Sequence, residues 1–130
     1  MLSAKDYCDY DTCVALKELG YIGQGRHFYD LDNDPKELRH FGIQVLTTRS
    51  AEALNFVLAI RLYDAQKWMR EEHNLHIEVC YNPSISWYYY HVWKNQDEIA
   101  EGDAFPSYED ALSTAIYMAV ECLKKDSNGN

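Results

Sequence analysis

Leu75-His76-Ile77-Glu78-Val79-Cys80-Tyr81-Asn82-Pro83-Ser84-Ile85-Ser86-Trp87-Tyr88-Tyr89-Tyr90-His91-Val92-Trp93 decides the fold of this chain. Leu75, Ile77, Val79 and Tyr81 alternate with His76, Glu78, Cys80 and Asn82, the period of a strand with one buried face. Asn82-Pro83-Ser84 is turn material, and Ile85 to Lys94 returns as the antiparallel partner. On that second strand Ile85, Trp87, Tyr89, His91 and Trp93 share one face, while Ser86, Tyr88, Tyr90 and Val92 share the other. Both faces are too apolar to lie wholly in water. Either helices cover one and leave the other for a partner, or helices and the N-terminal segment cover one each.

Helical periods flank the hairpin. Before it, Leu62, Ala65, Trp68 and Met69 form a stripe opposite Asp64, Lys67 and Glu71. After an acidic loop, Asn95–Asp103, Ser107 caps a last helix with Asp110 three residues on, and Ala111, Leu112, Ala115, Ile116, Ala119, Cys122 and Leu123 make its apolar stripe. Residues 62–124 thus form a helix-strand-strand-helix module. The expected fold class is α+β, a small antiparallel sheet with helices packed mainly on one face, within a single domain of residues 1–130. Ser127 to Asn130 reads as a frayed tail.

Toward the N-terminus, Asp9 caps a helix to about Leu19, with Cys13, Leu16 and Leu19 at helical spacing. Gly20 ends it in the left-handed conformation, and Tyr21 folds back onto Leu16. His27-Phe28-Tyr29 reads as a short strand and Asp30 to Pro35 as a turn. Phe41 to Thr47 reads as a strand with Phe41, Ile43 and Val45 on one side. From Ser50 one long helix competes with a break near Ile60–Arg61; the break is preferred, with the helix proper starting at about Leu62.

Length, composition and charge narrow the function classes. The 130 residues are 47% apolar and 14% aromatic, with only three prolines, a globular composition. Twelve basic residues against 21 acidic give a net charge of −9, and the cations are scattered. Nucleic acid is bound by Lys and Arg that displace condensed counterions, so neither nucleic acid nor an anionic membrane surface is an expected partner. The opening Met1-Leu2-Ser3-Ala4-Lys5-Asp6 is no signal sequence, and Phe56-Val57-Leu58-Ala59-Ile60, the longest apolar run, has the length of a core segment. A cytoplasmic protein is expected, in which Cys8, Cys13, Cys80 and Cys122 stay reduced.

Three segments carry a resemblance: Tyr10 to Tyr21, ending Leu16-Lys17-Glu18-Leu19-Gly20-Tyr21; Leu62-Tyr63-Asp64-Ala65-Gln66-Lys67-Trp68-Met69-Arg70-Glu71-Glu72-His73; and Ser107-Tyr108-Glu109-Asp110-Ala111-Leu112. Together they resemble a group of small uncharacterised proteins of gut Bacteroides-type bacteria and their phages or prophages. The resemblance implies no activity and no functional residues.

Chemical signatures are sparse. Asp30, Asp32 and Asp34 alternate as in a calcium loop, but Pro35 stands where that loop needs glycine and Phe41 where it needs a carboxylate. Cys8, Cys13 and His27 lack the second ligand pair of a structural zinc site, and His73 and His76 fall on different elements. No metal, cofactor or catalytic residue is therefore expected. Tyrosine and tryptophan join apolar area to a polar tip and are enriched at interfaces, so Trp87, Tyr88, Tyr89, Tyr90 and His91 are the candidate binding residues. The expected function is a small accessory protein that binds another protein, or a second copy of itself, through this surface without catalysis. The alternative is a small-molecule or metal-dependent enzyme with its site at His91, Tyr89 and neighbouring carboxylates.

Overall fold

A computed structural model describes residues 4–127. The tail expected at Ser127–Asn130 lies outside them, save for Ser127, which ends the last helix. The architecture is α+β, with four α-helices and eight strands in small antiparallel sheets among the described residues. It divides into two compact units, Met1–Arg61 and Leu62–Asn130. Among the described residues no helix is long and apolar enough to cross a membrane.

In the first unit, α1 (Tyr10–Glu18) starts where the Asp9 side chain accepts from Thr12 N–H at 2.8 Å. It ends where Gly20 turns left-handed at φ 104°, with Tyr21 N–H returning to Leu16 O at 2.9 Å. Strands β1 (Gln24–Gly25), β2 (His27–Asp30), β3 (Arg39–His40) and β4 (Leu46–Thr47) precede α2 (Thr48–Ala53) and β5 (Phe56–Leu58). They pair as β1-β4 and as β3-β2-β5. Buried hydrogen bonds hold α1's start to β2 and to the chain after β5. Cys8 N–H donates to Ile60 O at 2.8 Å, and the Tyr29 hydroxyl donates to Cys8 O at 2.7 Å.

Two expectations fail here. The strand over Phe41–Thr47 does not form; only Leu46 and Thr47 pair. Gly42 turns left-handed at φ 96°, which breaks the extended run, and Ile43 is 89% exposed. Alternation predicts a strand only when one side has a core to face, and single exposed apolar residues are common. The second concerns the less favoured reading of one long helix from Ser50, since Ser50 is not the cap there. Thr47 is, accepting from Ser50 N–H at 3.0 Å, while Ser50 Oγ accepts from Thr47 N–H at 2.8 Å. The long-helix option is excluded, because α2 stops at Ala53 and β5 follows.

The second unit holds α3 (Leu62–His73), β6 (Leu75–Asn82), β7 (Trp87–Lys94), β8 (Asp97–Phe105) and α4 (Tyr108–Ser127). Its sheet runs β6-β7-β8, antiparallel throughout. Helix α3 packs on β6, and α4 packs on α3 and on all three strands. Leu62, Ala65 and Met69 of α3, Leu75 and Ile77 of β6, Tyr90 and Val92 of β7, and Ala111, Ala115, Ile116, Ala119 and Val120 of α4 are buried. The small residues on α4 let it lie close to the strands, and each buried Leu, Ile or Val contributes about 1.5–3 kcal/mol by leaving water.

The hairpin departs from expectation at both ends. β7 begins at Trp87, not Ile85, because Ser86 is left-handed at φ 56° and belongs to the turn. The segment expected as an acidic loop, Asn95–Asp103, is mostly strand β8. Asn95, left-handed at φ 58°, opens a two-residue connection that pairs Lys94 with Asp97. Asp, Glu, Ala and Gly have poor strand propensity, and here they extend because β7 offers a row of unpaired backbone groups.

Candidate functional site

Pairing register sorts the second sheet into two faces. Against the helices lie Leu75, Ile77 and Val79, then Val92 and Tyr90, then Ala100 and Gly102. The opposite face carries His76, Glu78, Cys80 and Asn82 on β6, paired with Trp93, His91, Tyr89 and Trp87 on β7. On β8 it carries Glu98, paired with Trp93, and Glu101, paired with His91.

Glu98 and Glu101 are an odd number of residues apart, so in a regular strand they would point to opposite faces. A bulge changes this. Val92 pairs with Ala100 while Trp93 pairs with Glu98, so Ile99 has no partner and the alternation resets. Both carboxylates then stand beside His91. The ring Nδ1 is hydrogen-bonded to Glu98 Oε1, and donor atoms of His91, Glu98 and Glu101 lie within 4.8 Å of one another. Tyr89 and Trp93 flank the imidazole, at centroid distances of 5.5 and 5.8 Å.

Toward the β6–β7 turn the sheet end opens into a cleft of about 660 Å³. Its walls are aromatic, from Tyr81 and the run Trp87 to Tyr90, and Glu101 and Asp103 add carboxylates. Among the described residues, no lysine or arginine lines it. A second irregularity shapes the β8 wall. Tyr88 pairs with Phe105 and Tyr90 with Gly102, an extra residue on β8 taken up near Ala104, which is left-handed at φ 68°. The Tyr90 ring lies across Gly102, where an added Cβ would approach it to 2.5 Å. Burial, and then the nearby Cys122 and Glu101, push the Tyr90 phenol above its ordinary pKa.

The five sequence candidates therefore divide. Trp87, 40% exposed, and half-buried Tyr89 and His91 stand on the face away from the helices. Tyr88 lies between Tyr81 and Tyr108, at 5.1 and 6.1 Å, at the sheet's turn end. Tyr90 is 3% exposed and belongs to the core, though it also lines the cleft. Of the carboxylates loosely associated with His91, the structure singles out Glu98 and Glu101. Their convergence depends on the Ile99 bulge, which leaves no pattern in the sequence. Cys8 and Cys13 are buried together in the first unit, where Cys13 Sγ lies 3.5 Å from Cys8 O. Neither family models, curated proteins nor solved structures match the chain, so the site itself is the basis for function.

Proposed function

We propose that this chain is a non-catalytic binding module that takes a Lys- or Arg-bearing segment of a partner protein into the aromatic cleft of its second unit. The observation that carries this is the cleft's composition among the described residues, several aromatic walls and two carboxylates without a lysine or arginine. The negative face of an aromatic ring attracts a guanidinium or ammonium by about 0.5–2 kcal/mol, depending on desolvation. Glu101 and Asp103 supply charge complementarity at the rim, and the net charge of −9 favours encounter with a basic partner. An acidic ligand finds no lysine or arginine there.

The test is calorimetric titration with a short Arg/Lys-rich peptide and with its citrulline/norleucine analogue. The cationic peptide is expected to bind and the neutral one not. Trp87→Ala and Tyr89→Ala preserve net charge, so a drop of about three- to thirty-fold in either separates ring recognition from bulk attraction. A stoichiometric lysate partner lost in the same variants would extend the result to a natural ligand. Tyr90 is unsuitable for that purpose because its removal opens the core. Equal binding of the two peptides, or unchanged affinity in both ring variants, overturns the proposal.

A further inference from the structure

We infer that His91, Glu98 and Glu101 form a binding site for a divalent first-row transition ion of the zinc type. The site needs no peptide to form, but it shares Glu101 with the cleft, so bound zinc competes with a cationic peptide for that carboxylate. Three donors of two kinds converge on one spot: one imidazole nitrogen and two carboxylate oxygens, all within 4.8 Å of one another. Around a tetrahedral zinc ion with bonds of about 2.0–2.1 Å, donor atoms stand about 3.4 Å apart. Small rotations of Glu98 and Glu101, both exposed on the β8 edge strand, close that difference.

The arrangement is built from strand geometry. The Ile99 bulge brings two carboxylates three residues apart onto one face, and the pairing of Glu101 with His91 sets them against the ring. Tyr89 and Trp93 on either side restrict the imidazole plane, and Nδ1 already faces the Glu98 carboxylate. An ion placed between them replaces the His91–Glu98 hydrogen bond. Its two positive charges balance Glu98 and Glu101, which otherwise repel across the face of an acidic protein. Imidazole with carboxylate selects borderline ions such as zinc over magnesium or calcium, which prefer all-oxygen shells. Three protein donors leave a coordination position for water or for a carboxylate or carbonyl oxygen of a ligand. His91 and Glu101 also line the cleft, so such an oxygen can approach from it.

The test uses the whole chain, titrated calorimetrically with ZnCl₂ in a non-chelating buffer and, in parallel, with CoCl₂ followed by absorbance. One ion per chain is expected, with a rise in melting temperature as zinc is added. His91→Ala, Glu98→Gln and Glu101→Gln, all at accessible positions of a formed sheet, are each expected to weaken binding at least tenfold while circular dichroism stays unchanged. The cobalt spectrum separates this site from the thiols of Cys8 and Cys13, since a nitrogen/oxygen site gives no thiolate-to-metal charge-transfer band. Absence of saturable binding overturns the inference, as do unchanged affinity in the three variants or a thiolate band with one equivalent of cobalt. Because no peptide is present, failure here leaves the cleft proposal standing, and failure of peptide binding leaves this one.

Discussion

Replacing Gly102 by alanine tests whether the Tyr90 ring is the fixed wall that shapes the cleft. An alanine Cβ at this position would lie 2.5 Å from Tyr90 Cε2, 2.9 Å from Cζ and 3.1 Å from the hydroxyl oxygen. Carbon atoms reach optimal separation at about 3.5–4.0 Å, so about 1 Å must be recovered by moving the ring or the strand. Tyr90 is 3% exposed, and the Phe105 ring stands 5.7 Å away, so the ring can yield only toward the cleft, at the expense of its core packing. Overpacking of this kind costs about 1–3 kcal/mol. Against it, alanine in an unstrained position returns about 0.4–1 kcal/mol by reducing the freedom of the unfolded chain. The net expectation is a loss of about 1–2 kcal/mol, read as a lower urea midpoint with an unchanged slope. A double-mutant cycle with Tyr90→Leu makes the test specific. If the ring is the obstacle, Gly102→Ala costs less in the Tyr90→Leu background, with a coupling of about 1 kcal/mol. Stability equal to or above the parent's, or strict additivity with Tyr90→Leu, refutes the reasoning.

Alkali should destabilise the first unit. Burial, followed by the nearby Cys13 and Cys8, raises the Tyr29 phenol well above its ordinary pKa. The hydrogen bond with Cys13 and then burial raise the Cys8 thiol. Both groups lose protons more readily when unfolded, so their contribution is intact below about pH 8.5–9 and falls as pH climbs toward the folded values. Urea denaturation between about pH 7.5 and 10.5 should show decreasing stability, with a shallower decrease in Tyr29→Phe, and a flat profile contradicts the assignment. At neutral pH, Tyr29→Phe should itself cost about 1–2 kcal/mol, because Cys8 O loses the shorter of its two buried hydrogen bonds and keeps only the weak one from the Cys13 thiol. At the start of α4, Ser107→Ala removes the side chain that accepts from Asp110 N–H at 3.1 Å. It should cost about 1 kcal/mol, and Ser107→Asn should restore most of it.

Much of the second unit was legible because its signals are local. The alternation of Leu75 to Asn82, the rings of β7, the Ser107 cap and the stripe on α4 follow from periods and caps that the backbone imposes on any chain. The same holds for α1, whose Asp9 cap and Gly20 stop can be read directly. Legibility failed where the deciding partner was distant. β8 is made of poor strand formers and forms because the β7 edge needs hydrogen-bond partners. Phe41 to Val45 carries a strand period, but only Phe41 meets the core, against Phe28 and Phe56, while Ile43 and Val45 are exposed.

By itself, the sequence determined the fold class, the helix ends, the hairpin and the concentration of aromatic side chains on one strand. All of these rest on interactions between residues close in the chain. Tertiary structure alone decided that Tyr90 belongs to the core while Trp87 and Tyr89 face away from it, because the choice depends on which face the helices cover. It also decided that Glu98 and Glu101 meet His91. One unpaired residue, Ile99, resets the alternation of β8, and where a bulge falls is settled by the strand it must pair with.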